Sequence, residues 1–300
     1  MKLFAPKYYK AFRCIADKCS HSCCIGWEID VDGDTLSIYE GLGEGYGDVI
    51  KQSIDGEDTP HFRLGENERC PHLDECGLCR IITELGEEYL CDICREHPRF
   101  YNLTPNGCEA GLGMACEEVC RIIFSEENYW DTVEIGEVDR DDSFEGLNTL
   151  PLREYLYSIL SDAKVSYAKR LENIYTAFEI SPHFMSDGEW REVLHSLEYL
   201  DESHRDMLCG YSSDVTSSGE DEIKLERFLA YLIYRHCTEA YDTEEFIYSL
   251  GFCLFCERLF AFLLCKNGAD AVTFARIISE ELEYSEDNTY EIKSCFMQKR

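Results

Sequence analysis

Phe246-Ile-Tyr-Ser-Leu-Gly-Phe-Cys-Leu-Phe-Cys-Glu-Arg-Leu-Phe-Ala-Phe-Leu-Leu264 is apolar almost all the way round. A helix of this kind has no polar face to offer water, so it belongs at the centre of a bundle. Its most apolar part, Leu250 to Cys265, carries Glu257 and Arg258 in the middle and is expected to be too short to span a bilayer. The neighbours it needs are present. Pro151 suits a helix start and is followed at helical spacing by Leu152, Tyr155, Leu156, Ile159 and Leu160. Trp190, Val193, Leu194, Leu197 and Leu200 repeat the pattern, as do Leu225, Phe228, Leu229, Leu232 and Ile233. Ala271, Phe274, Ile277, Ile278 and Leu282 close the series, and the last proline is Pro182. No strand alternation stands out. These spacings predict a mainly α fold, with a helical domain over 151–300.

Residues 1–130 read differently. Of 18 cysteines, 12 precede residue 121, and so do 13 of 20 glycines, which suggests loops and short elements wrapped around ligands. The acidic stretch from Glu134 to Glu145 reads as an exposed connection, and Tyr211 to Asp221 as a mobile loop. The expected organisation is a cysteine-rich, loop-heavy N-terminal metal-binding module over 1–130, an acidic connection over 131–150, and the C-terminal helical domain on which the module packs.

Composition narrows the function. In 300 residues, Lys+Arg 28 against Asp+Glu 60 leaves a net charge of −32. Phosphate backbones and anionic lipid both draw on Lys and Arg, so neither nucleic acid nor membrane is an expected partner. The N-terminal residues contain no apolar run resembling a signal peptide, and a cytoplasmic protein is expected. In a reducing compartment clustered cysteines point to metal or redox chemistry before disulfides.

The cysteines fall into blocks: Cys14-x4-Cys19-x3-Cys23-Cys24-x2-Trp27, then Cys70-Pro-His-Leu, Cys76-x2-Cys79 and Cys91-x2-Cys94, then Cys108, Cys116 and Cys120. Thiolate sulfur ligates both iron–sulfur clusters and structural zinc. The pairs Cys76/Cys79 and Cys91/Cys94 approach a zinc ribbon with a short loop. A site drawing sulfurs from both blocks uses more of the cysteines. Gly26 and Trp27 stand where a radical S-adenosylmethionine signature would need cysteine. Cys209, Cys237, Cys253, Cys256, Cys265 and Cys295 read as packing residues, and no histidine spacing marks a ligand pair.

The opening Phe12-Arg13-Cys14-x4-Cys19-x3-Cys23-Cys24-x-Gly26-Trp27 resembles the start of the flagellin lysine-N-methylase family. Cys70-Pro-x-Leu-x5-Cys79-x-Ile, Glu84 to Glu88, Cys94, Pro98-Arg99 and Cys116-Glu-Glu-Val are similar to its next blocks. Phe228 to Arg235 and Ser279 to Asn288 are similar to its late motifs. Cys76, Cys91, Cys108 and Cys120 fall outside the pattern, and Tyr284 stands where a histidine is usual. The resemblance implies methyl transfer from S-adenosylmethionine to lysines of flagellin in a protein carrying an iron–sulfur cluster, of the 4Fe-4S kind; the two Cys-x2-Cys pairs keep zinc as the alternative metal. It implies metal ligands among Cys14, Cys19, Cys23, Cys24, Cys70, Cys79, Cys94 and Cys116. It also implies cofactor contacts from Arg99, Arg235 and Asn288, and catalytic roles for Glu281, Glu283 and Tyr231. Glu281 and Glu283 are two residues apart, so one is expected to face the site and the other to be solvated. The competing expectations are a non-enzymatic zinc- or iron-binding interaction module and an electron-transfer protein.

Overall fold

The computed structural model describes residues 1–127, 130–139, 144–216, 219–268 and 270–298, the side chains of 267 and 298 excepted. Helices dominate the chain, as the periodicities predict. The chain forms two compact units, Arg13–Arg99 and Met1–Phe12 with Phe100–Arg300.

The larger unit contains a four-stranded sheet, which the sequence reading missed. Lys2–Pro6 lies inside it, parallel to Gly107–Leu112 and antiparallel to Thr132–Glu137, with the strand Arg99–Thr104, which enters this unit at Phe100, at the far edge. Leu3 pairs with Cys108, Phe4 with Glu109, and Ala5 with Val133. Every residue of Gly107–Leu112 is buried, so the strand shows no polar alternation. Thr132–Glu137 is nearly all exposed and acidic at an open edge, which made it read as a connection. This sheet ties residues 1–12 and 100–137 to the helices. The division therefore differs from the boundary expected near 130–150. Residues 140–143 of that connection lie outside the described residues. So do 217 and 218 of the stretch read as a mobile loop, where Tyr211 is fully buried and Glu220 opens a helix.

Thr243–Asn267 is one helix of 25 residues, started by the Asp242 carboxylate accepting from the Glu245 amide at 2.9 Å. It is long and apolar enough, by length and composition, to cross a bilayer, which corrects the expectation that its apolar stretch is too short. Here it is a core helix: Leu250, Phe252, Leu259 and Phe260 are completely buried. Trp190 stacks on Phe255 at 3.8 Å between ring centroids, and Phe228 meets Phe260 at 4.5 Å.

The one acid within this apolar stretch, Glu257, accepts from the Tyr167 hydroxyl at 2.9 Å. Burial pushes its carboxyl up to about 7. Because the folded pKa exceeds the unfolded one, this group costs stability as pH rises from the ordinary carboxylate range through 7. Glu257→Gln keeps the acceptor for Tyr167 and is expected to raise stability at pH 8 by about 3 kcal/mol. Near pH 4.5 it should change little. Thermal melts of both proteins at the two pH values check this.

The smaller unit, Arg13–Arg99, is built from short helices, two-residue strands and turns around Ile29, Val31, Tyr39, Ile50, Phe62, Cys70, Ile81 and Cys91. His72 is fully buried at its centre. It lies 2.9 Å from both the Tyr46 hydroxyl and the Ser53 hydroxyl. Ser53 donates to the Ile50 carbonyl, so it accepts from His72 Nε2, and Nδ1 accepts from Tyr46.

Candidate functional site

In the larger unit, the helix Glu220–His236 begins with Glu220, Asp221 and Glu222 and ends with Arg235 and His236, charges that suit both ends of its dipole. Tyr231 lies one turn before Arg235 on the same face. The acceptor for all three comes from Ser279–Glu283, a π-helical turn between the helices Ala271–Ile278 and Glu286–Gln298. Such a turn holds an extra residue and is frequent at functional sites. It turns Glu280, Glu281 and Glu283 all inward, so the expectation that one of Glu281 and Glu283 is solvated is corrected.

Glu283 is the hub. The Tyr231 hydroxyl donates to its carboxylate at 3.0 Å, His236 Nε2 lies 2.7 Å from Oε2, and Arg235 Nε lies 3.4 Å from the same oxygen. Tyr231 in turn accepts from the Met114 amide and from Arg235 Nη1, both at 3.1 Å, which completes its bonding capacity. Arg235 is held between Phe100 and Tyr284, 4.9 and 4.5 Å from the ring centroids, and its carbonyl accepts from Asn102 at 2.8 Å. Burial alone would raise the Glu283 carboxyl. Arg235 and then His236 outweigh it and hold the group below the usual carboxylate range.

Burial also takes the His236 imidazole down to about 4, against the opposing pull of Glu283, with Arg235 and Lys293 helping to lower it. The ring is therefore neutral near pH 7. An ionised carboxylate only accepts, so Nε2 carries the proton and Nδ1 keeps a lone pair. No hydrogen bond reaches Nδ1 among the described residues, and the side chain keeps about a tenth of its exposure. The site thus pairs a neutral acceptor with a carboxylate whose charge Arg235 balances.

The loop beside this cluster leaves no spare room. A Cβ on Gly113 would clash with the Tyr284 hydroxyl and lie 2.7 Å from Arg235 Nη1. Gly113→Ala is expected to cost about 1–3 kcal/mol by pushing Tyr284 off the guanidinium. A comparison of urea midpoints with those of Gly188→Ala, which meets only Ser186 Oγ at 3.8 Å, checks it.

The other residues implied by resemblance lie elsewhere. Glu281 accepts from the Leu200 and Asp201 amides at 2.7 and 3.2 Å and lies 2.6 Å from His204 Nδ1. Asn288 donates to the carbonyls of Glu198 and Glu281 at 2.6 and 2.7 Å and accepts from the Glu198 amide at 3.1 Å. Both therefore fasten the 198–204 segment to the π turn. Arg99 belongs to the smaller unit, where it donates to the Arg95 carbonyl at 3.2 Å. His236 was missed in the sequence, although its place one residue after Arg235 was visible.

In the smaller unit the fold gathers five thiols. The Cys70 amide donates to the Cys24 carbonyl at 2.9 Å, and Ile25 bridges to Arg69, which sets those two segments side by side. Asp74 caps a tight turn by accepting from the Cys76 and Leu78 amides at 2.8 Å each, with Gly77 at φ +82°. That turn brings Cys79 back opposite Leu73. Cys91 opens the helix Asp92–Glu96, which carries Cys94. Cys24, Cys70, Cys79, Cys91 and Cys94 each affect the ionisation of others in the set. A hydrogen bond with Cys23 brings Cys24 down to about 7 against burial, with help from Ser22 and Arg69. Burial pushes Cys70 up to about 12 and raises Cys79. Their shared hydrogen bond lowers Cys91 and raises Cys94.

Cys91, absent from the expected ligand set, belongs to this group. Cys14 is exposed, Cys19 and Cys23 are partly buried, and Cys116 lies in the larger unit, just before the helix Glu117–Ser125. Among the described residues, no three His, Cys, Asp or Glu side chains stand in an arrangement ready to hold a metal ion.

Comparison with known proteins gives three relatives from Salmonella. The flagellar biosynthetic protein FliU of Salmonella muenchen is 31% identical over 142 residues, which is 44% of this chain and 80% of that protein. The lysine-N-methylases of Salmonella typhimurium and Salmonella choleraesuis are each 29% identical over 131 residues, 40% of this chain. The match spans 32% of the length of each lysine-N-methylase. No family model and no solved structure matches.

Proposed function

Because this chain belongs to the flagellin lysine-N-methylase family, we propose that it transfers methyl groups from S-adenosylmethionine to the amines of surface lysines on flagellin. The kinship with a flagellar biosynthetic protein, over most of that protein's length, carries the reading. We place the reacting centre at Tyr231, Arg235, His236 and Glu283. The expected substrate partner is flagellin, and the expected compartment the cytoplasm.

The chemistry of the cluster supports that placement. A lysine amine has a pKa of about 10.4 in water and must be neutral to attack a methyl carbon. An unbalanced carboxylate beside it would hold it protonated. Here Arg235 balances Glu283, and the neutral His236, its side chain about a tenth exposed, keeps Nδ1 as an acceptor. That nitrogen would accept an N–H of the amine and aim its lone pair, with Glu283 and Phe252, whose ring centroid lies 4.8 Å away, fixing the imidazole. S-adenosylmethionine would supply the electrophilic methyl group.

The donor type of Cys24, Cys70, Cys79, Cys91 and Cys94 suits an iron–sulfur cluster, with zinc as the alternative, and these residues would hold it. Methylating an amine needs no electron, so the metal is assigned a structural part in the small, loop-rich unit. Purified protein, flagellin and S-adenosylmethionine, followed by peptide mass spectrometry, test the activity. Lysines heavier by one methyl group support it, and unmodified flagellin with folded, metal-loaded protein refutes it.

A further inference from the structure

A groove of about 370 Å³ lies in the larger unit at the start of the edge strand Thr132–Glu137, and none of Tyr231, Arg235, His236 or Glu283 lines it. Its walls come from the start of that strand and from the helix Leu150–Leu160, and they include Trp130, Tyr157 and Glu154. Glu109 and Arg153 form its floor as a two-point pair at 2.7 and 2.9 Å, and Asp131 is met by Lys7 at 2.6 Å. The floor is thus neutralised within itself. Glu154, exposed on the helix, has no cationic partner among the described residues.

An open strand edge offers unpaired backbone groups to an extended chain. Aromatic walls with one unbalanced carboxylate suit an alkylammonium or guanidinium group. From this juxtaposition we infer that the edge strand and its groove dock an extended, basic segment of the protein substrate, away from the reacting centre. That the segment belongs to a substrate rests on the proposed methylase function. The binding itself does not.

The experiment uses the full chain without S-adenosylmethionine. Its probes are an eight-residue Thr/Val/Ser peptide with one central lysine and the same peptide with norleucine in that place. The lysine peptide is expected to bind about tenfold more tightly by calorimetry. Glu154→Lys, an exposed change that leaves the fold intact, should reduce that preference to less than about twofold. N-methylating alternate backbone amides of the peptide should weaken binding further. Equal binding of both peptides, binding of neither, or an undiminished preference in Glu154→Lys overturns the docking site. Flagellin methylation measured in parallel separates the two readings. Methylation without lysine preference removes only the docking site, and lysine preference without methylation removes only the methylase.

Discussion

Glu283→Ala is expected to destabilise the protein by about 3–5 kcal/mol. The change removes the one carboxylate shared by Arg235, His236 and Tyr231 and leaves a buried guanidinium without its counter-charge. Arg121 pairs with Glu118 at 3.5 Å on the surface, where solvent screens both groups, so Glu118→Ala should stay within about 0.5 kcal/mol. Urea unfolding followed by circular dichroism compares the two. If Glu283→Ala costs no more than Glu118→Ala, the cluster is not the electrostatic hub described.

The second large effect concerns the smaller unit. Its core holds few large side chains, so a bound metal should supply much of its folding free energy, on the scale of about 10 kcal/mol for thiolate sites. Cys94→Ser and Cys70→Ser are each expected to strip the metal, bleach any brown colour and open residues 13–99 to protease. Cys209→Ser, at the buried end of the helix Glu202–Cys209 in the other unit, should keep the metal and cost about 1–2 kcal/mol. Elemental analysis of anaerobically purified variants and limited proteolysis decide it. Full metal content in both Cys94→Ser and Cys70→Ser would place the ligands elsewhere.

The helices were legible because each buries one stripe, or in Thr243–Asn267 nearly every side. A buried stripe repeats at 3.6 residues whatever it packs against. The sheet was not legible. Gly107–Leu112 is buried on both faces and has no alternation to read, while Thr132–Glu137 hides a strand under acidic residues. At the site, Tyr231 and Arg235 are picked out by resemblance, and their four-residue spacing puts them on one helix face. The π turn that aims Glu283 at them leaves no mark in a single sequence. His236 meets Glu283 across 47 residues, a pairing that only the fold creates. Cys91 stood outside the family spacing, yet its position before Asp92–Glu96 puts it among the gathered thiols, whereas Cys14 stays exposed. Glu281 and Asn288 stand out in the sequence through the resemblance of Ser279 to Asn288 to a late family motif. Their bonds to the 198–204 segment give them structural work.

On the proposed function, methyl transfer depends on the neutral acceptor His236 held by Glu283. The most direct measurement is the single-turnover rate of flagellin methylation at pH 8 for wild type and His236→Ala, both shown folded by their melting curves. Loss of the aimed acceptor is expected to slow the transfer by about 100-fold, with little change in the affinity for flagellin. A folded His236→Ala protein that methylates at the wild-type rate would rule out His236 as the aiming acceptor.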